Sequence, residues 1–187
     1  MTTVLDFFLE LAAVFLGVLG AFELDNYREA KAEDKERVRL LGLISREVDS
    51  NNGILIGMSR EEDAAFGVPN ARPMRNIWDG ITSKLAILRN DELLEEATML
   101  YWDLANLDGM LDIYRDYAGR YQYASSEEKV RLGPILFIHR THYVDYIKNE
   151  ALPQITIVRK LIDAELWREK SNHVPKSNTE DEKTAVQ

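Results

Sequence analysis

The chain has 187 residues, 45% of them hydrophobic, which suits one ordinary domain plus an appendage and argues against wholesale disorder. A net charge of −9 and a pI near 4.9 argue against a nucleic-acid partner held by phosphate neutralisation. There is no cysteine, so disulfides, thiolate catalysis and cysteine-bound zinc are excluded.

The first element lies at the N-terminus. Residues 7–24 read FFLELAAVFLGVLGAFEL, and eighteen helical residues span roughly 27 Å, close to the ~30 Å hydrocarbon core of a bilayer. Only residues 11–22 are free of charge, with Glu10 and Glu23 near the two ends. A secretory signal needs a basic start and a small-x-small cleavage site, whereas Asp6 and Glu10 are acidic and no Lys or Arg precedes Arg28. A buried helix of a soluble core is the other rival, because twelve uncharged residues also fit that role. The helical wheel favours a membrane helix over residues 1–25. Asp6, Glu10, Ala13, Gly17, Gly20 and Ala21 recur at steps of three or four and share one face, which is expected to meet another helix. Glu10 has three readings: reaching the headgroups, hydrogen bonding across a helix–helix contact, or lining a proton or ion path. Arg28, Lys31, Lys35, Arg37 and Arg39 all follow the segment, so the positive-inside rule places residues 26–170 in the cytoplasm, with Tyr27 and Arg28 as interface anchors.

No loop signal follows Leu24, and residues 26–50 carry Val38, Leu41, Ile44 and Val48 on one stripe of a charged amphipathic helix. The charges there are expected to be a solvated face. Asn51, Asn52, Gly53 and Gly57 are expected to weaken this helix, and the run VPNARP at 68–73 is the clearest loop. Ile77, Trp78, Ile81, Leu85 and Leu88 share the next face, and Asn90 or Asp91 offers an N-cap. Leu93, Ala97, Leu100, Leu104, Leu107, Leu111, Tyr114 and Ala118 then alternate steps of four and three, as a bundle seam requires. Ser125 and Glu128 form a capping-box pattern, and Gly133-Pro134 is expected to interrupt the helix that follows. Val144, Ile147, Ala151, Ile155, Val158 and Ile162 continue an apolar stripe bent at Pro153, with Trp167 as its last core candidate. Residues 171–187 read as a disordered polar tail. The fold class is therefore all-α: an N-terminal transmembrane helix, a long amphipathic helix, and a helical bundle or coiled-coil-like domain.

Chemistry is sparsely signalled. His139 and His142 are spaced to share a metal on one helix face, with Asp145 and Glu150 nearby in sequence, but no second helix offers matching ligands. Glycine-rich phosphate loops, nucleophile elbows and kinase motifs are absent, and the carboxylates are scattered rather than paired. No catalytic residue, cofactor, metal or small-molecule ligand is assigned.

The residues Glu10, Val14, Gly17, Ala21 and Phe22, then Asn26, Tyr27 and Glu29, then Leu40, Leu41, Ile44 and Glu47 form a recognisable series. Over residues 5–50 this resembles a widespread bacterial family of unknown function with one N-terminal membrane helix and a helical cytoplasmic domain. Tyr27 stands where tryptophan is commoner in that pattern. The resemblance implies a membrane location but no substrate. The expectation is a single-pass protein of the bacterial inner membrane that acts through protein contacts, as a homo-oligomer or with a membrane-protein partner, and is not an enzyme. Two alternatives stand beside it: an oligomeric channel or transport component using Glu10, and a helical enzyme using His139 and His142.

Overall fold

The computed structural model describes residues 2–60 and 71–172, without the side chains of residues 2–7 and 172. The tail beyond 172, residues 68–70 of the loop at 68–73, and the side chain of Asp6 fall outside the described residues. Every regular element among them is helical: α1 (Thr2–Arg60), α2 (Asn76–Ile81) running into a 3-10 segment (Thr82–Leu88), α3 (Asp91–Tyr123), α4 (Ser126–Tyr146), a π-helical turn (Ile147–Ala151) and α5 (Leu152–Asn172). The protein is all-α. It divides into two units, Met1–Leu40 and Leu41–Gln187, and α1 contributes to both.

In the first unit the apolar side chains from Phe8 to Leu24 are exposed on every side of the helix. Among the described residues, no helix is long and apolar enough to cross a membrane. The expected transmembrane helix over residues 1–25 is thus not supported over the residues whose side chains are described, from Phe8 onward. From Phe8 onward, a stretch of the ~18 residues a span needs takes in Glu10, Glu23 and Asp25.

In the second unit, α1 buries Leu41, Ile44, Val48, Leu55 and Met58, a series at helical spacing. The weakening expected at Gly53 and Gly57 does not interrupt the helix, which continues to Arg60. Both glycines lie on the exposed side, and packing of the opposite face outweighs a propensity cost of about 1 kcal/mol each. The 3-10 segment ends at Arg89, whose φ of 52° is left-handed and turns the chain into Asn90, the N-cap of α3. Asn90 Oδ1 accepts from the Leu93 backbone N–H at 2.9 Å.

Helix α3 is the centre of the bundle and packs against both α4 and α5. Leu93, Ala97, Leu100, Leu104, Leu107, Leu111, Tyr114 and Ala118 are all buried along it, and Tyr114 meets Tyr143 of α4 edge-on at 5.3 Å. Helix α4 starts with the Ser125–Glu128 capping box, both hydrogen bonds present. It then continues through Pro134 without the expected interruption. Proline cannot bond the Val130 carbonyl four residues back, but Val130 and Pro134 are both exposed, so water can take that acceptor. At Pro153 the ladder changes register: the Leu152 N–H donates to the Ile147 carbonyl, five residues back. Trp167, expected in the core, is 71% exposed. The buried stripe of α5 runs on from Ile155, Val158 and Ile162 to Glu165 and Glu169, and Trp167 lies roughly 160° around the helix from Glu165.

Candidate functional site

The polar groups buried in the second unit gather where helices receive incoming chain. Glu47 is 2% exposed and sits on the apolar stripe of α1. Its Oε1 accepts from the Ile77 backbone N–H at 2.9 Å, and its Oε2 accepts from the Trp78 N–H at 3.1 Å and the Tyr101 hydroxyl at 2.7 Å. Helix α2 has no capping side chain of its own at Arg75, so Glu47 caps it from another helix. One turn on, Asn51 takes Met74 in a two-way bond, accepting from its N–H at 2.6 Å and donating to its carbonyl at 2.8 Å. The Trp78 and Tyr101 rings stack over this node with centroids 4.5 Å apart. Burial, and then the bond to Glu47, hold the Tyr101 phenol far above its ordinary pKa, so it stays a donor.

Similar ties bind α3 to the C-terminal helices. Tyr146 donates to Asp103 at 2.7 Å, and its phenol is pushed up to about 12, by burial first and by this bond second. Gln154 donates to the Glu96 carbonyl at 2.9 Å and to its carboxylate at 2.6 Å. Glu165 accepts from Asn90 at 2.8 Å and also from Arg168, linking the cap of α3 to α5. Among the described residues no buried side-chain nitrogen or oxygen lacks a hydrogen-bond partner. These carboxylates hold backbone and neighbours in place, and what they build is a fixed scaffold.

Hollows among the described residues of this unit open to solvent. One of about 390 Å³ is lined by Thr98, Met99, Trp102, Asp103, Glu150 and Gln154, with Asp103 and Gln154 already engaged as above. His139 stacks on Tyr117 with centroids 5.0 Å apart, and His142 is exposed. Among the described residues no group of three or more His, Asp or Glu side chains is placed to hold a metal.

The residues expected to form a contact face in the membrane stand as follows. Glu10, Ala13, Gly17, Gly20 and Ala21 are exposed, and a β-carbon built on Gly17 or Gly20 would meet nothing within 4 Å. Tyr27 and Arg28 are exposed; Lys31 lies over the Tyr27 ring at 5.9 Å, and Arg28 approaches Asp25 at 3.8 Å. Glu47, Asn51, Gln154 and Glu165 went unnoticed as buried polar residues. Their signal was register: Glu47 and Asn51 fall in step with Leu41, Ile44, Leu55 and Met58, where a solvated face has no place. Set against family models, curated proteins and solved structures, the chain gives no match.

Proposed function

We propose that this is a membrane-anchored helical interaction protein, held at a bacterial inner membrane by its N-terminal segment and presenting the bundle in the cytoplasm as a non-enzymatic scaffold. The observation that carries the reading is the exposure of residues 11–22, twelve consecutive uncharged residues that leave no polar face on the helix. A single protein partner covers one side of such a helix. A surrounding apolar medium covers all of them.

The flanking acids set the terms of insertion. Glu10 and Glu23 are thirteen residues apart, so the helix between them spans roughly 20 Å. Centred in a ~30 Å core, each carboxyl sits about 5 Å below a boundary, where headgroup water, local thinning or protonation relieves much of the cost. The basic residues beyond Tyr27 give the orientation. Gly17 and Gly20, open to close approach, suit a neighbouring helix in the same bilayer.

The test is flotation of the full chain with phosphatidylcholine/phosphatidylglycerol vesicles, followed by an alkaline wash. The wild-type chain is expected to float and resist the wash, whereas Val14→Asp combined with Val18→Asp should stay at the bottom with the bundle intact. A wild-type chain that is monodisperse in plain buffer and does not float refutes the reading.

A further inference from the structure

Helix α4 has a second face that the bundle does not use. Its inner side buries Leu136, Tyr143 and Val144, while Phe137 and Ile138 are 64% and 63% exposed and Val130 is more exposed still. A helix serving only its own bundle turns polar residues outward. Here the outward side has a large apolar centre.

The charges around that centre are ordered. At about 100° per residue, measured from the midpoint between 137 and 138, residues 127, 130, 134, 137, 138, 141, 145 and 148 lie within roughly 50° of one line. All of them are exposed. Glu127 stands at the N-terminal end of this line and Lys148 at the C-terminal end, with Arg131 beside the line on one side of the apolar centre and Asp145 on the other.

We infer that this face is an isologous interface, closed by α4 of a second copy of the chain running antiparallel about a two-fold axis between Phe137 and Ile138. That axis sets Phe137 against Ile138 of the partner copy at the centre, and Glu127 against Lys148 at each end. It also brings Arg131 alongside Asp145, and because the symmetry repeats each pair, every dimer carries two of each. A parallel pairing sets Glu127, Arg131, Asp145 and Lys148 each against its own copy, with like charges facing throughout. Sliding the antiparallel pair one heptad either way is also worse: one slip sets Arg131 on Phe137, and the other sets Phe137 on Asp145. Of these registers, the central one brings opposite charges together and keeps Phe137 and Ile138 at the axis, with Val130 beside the Arg131–Asp145 pairing. The opposite charges that meet when this face is turned on itself, Glu127 with Lys148 and Arg131 with Asp145, select a second copy over an unrelated protein.

The absence of cysteine makes the test clean. Full-length Ile138→Cys, oxidised in detergent, should form a disulfide-linked dimer at least about fivefold faster than Ile157→Cys, an exposed position on α5. On the Ile138→Cys background, Arg131→Asp and Asp145→Arg should each weaken dimerisation about tenfold, and the two together should restore it. The unchanged emission of the buried Trp78 confirms that each variant is folded. Cross-linking at 138 no faster than at 157 overturns the interface. Fast cross-linking that ignores both charge changes, or a double change that fails to restore it, overturns the register. Association through the N-terminal segment alone gives equal rates at 138 and 157, so that result too counts against α4.

Discussion

Replacing Glu47 with alanine removes the acceptor for three donors at once: the Ile77 and Trp78 backbone N–H groups and the Tyr101 hydroxyl. Glu47 is 2% exposed, so water does not readily take its place. Hydrogen bonds to a charged group contribute roughly 1.5–3 kcal/mol each, and a buried donor left unpaired costs about 1–3 kcal/mol. Partial relaxation of the short helix α2 reduces the sum, and a net loss of about 3–5 kcal/mol is expected. Against a total of roughly 5–15 kcal/mol for a domain, that is about a fifth of the stability or more. Glutamine is a finer probe. Whichever way its amide is turned, an NH₂ group faces either the Ile77 or the Trp78 N–H, so one backbone donor is lost and about 1–3 kcal/mol with it. The assay is urea unfolding followed by tryptophan emission, in which Trp78 is the buried reporter while Trp102 and Trp167 are already exposed. With a urea dependence of ~2 kcal/mol per molar, the alanine midpoint should fall by about 2 M and the glutamine midpoint by about half as much. An alanine variant within ~0.5 kcal/mol of wild type, the range of an ordinary surface change, refutes the capping role.

Two further outcomes follow from the same packing. Pro134→Ala restores the N–H that the Val130 carbonyl lacks, and should stabilise the second unit by about 2 kcal/mol after allowing for the freer unfolded chain; a destabilised variant in urea unfolding would show that α4 needs the proline. Alkali should weaken the fold. The phenols of Tyr101 and Tyr146 are both raised above 10.0 in the folded state, so above that pH the unfolded chain holds fewer protons than the folded one and stability falls. For Tyr146 the loss should run between about 10 and about 12. The combined Tyr101→Phe and Tyr146→Phe variant, measured by urea midpoint across that range, should show a shallower decline, and an identical slope would refute the assignment.

The parts of this fold legible in the sequence are those governed by local rules. The seam from Leu93 to Ala118 is readable because its spacing keeps one face inward for several turns. The cap at Ser125 and Glu128 needs only its own two residues. What escaped was set by groups far apart in the chain. Glu47 reads locally as one more acid on a charged helix, and its burial depends on a capless α2 some thirty residues away. Trp167 reads as core by size alone, yet the inward face at that level belongs to Glu165, which Asn90 and Arg168 satisfy from either side. Pro134 reads as an interruption and Gly57 as a weak point, but each falls on an exposed side where packing behind it carries the helix through.

The two proposals bear on one another through concentration. The outward face of α4 is roughly 32 Å long and 10 Å wide, a smaller contact than the ~800 Å² per partner typical of a stable complex. Two copies free in solution would gain from it a weak, short-lived contact, because association must first offset lost translational and rotational freedom. Two copies sharing one bilayer have already lost much of that freedom, and tethering can raise the effective concentration to the millimolar range. A small face with four opposite-charge pairings then suffices, and the charges matter more for choosing orientation than for strength. An apolar segment that confines the chain and a modest self-matching face are therefore complementary requirements. A much larger apolar face on α4 would favour aggregation, whereas this one is limited at both ends by charge.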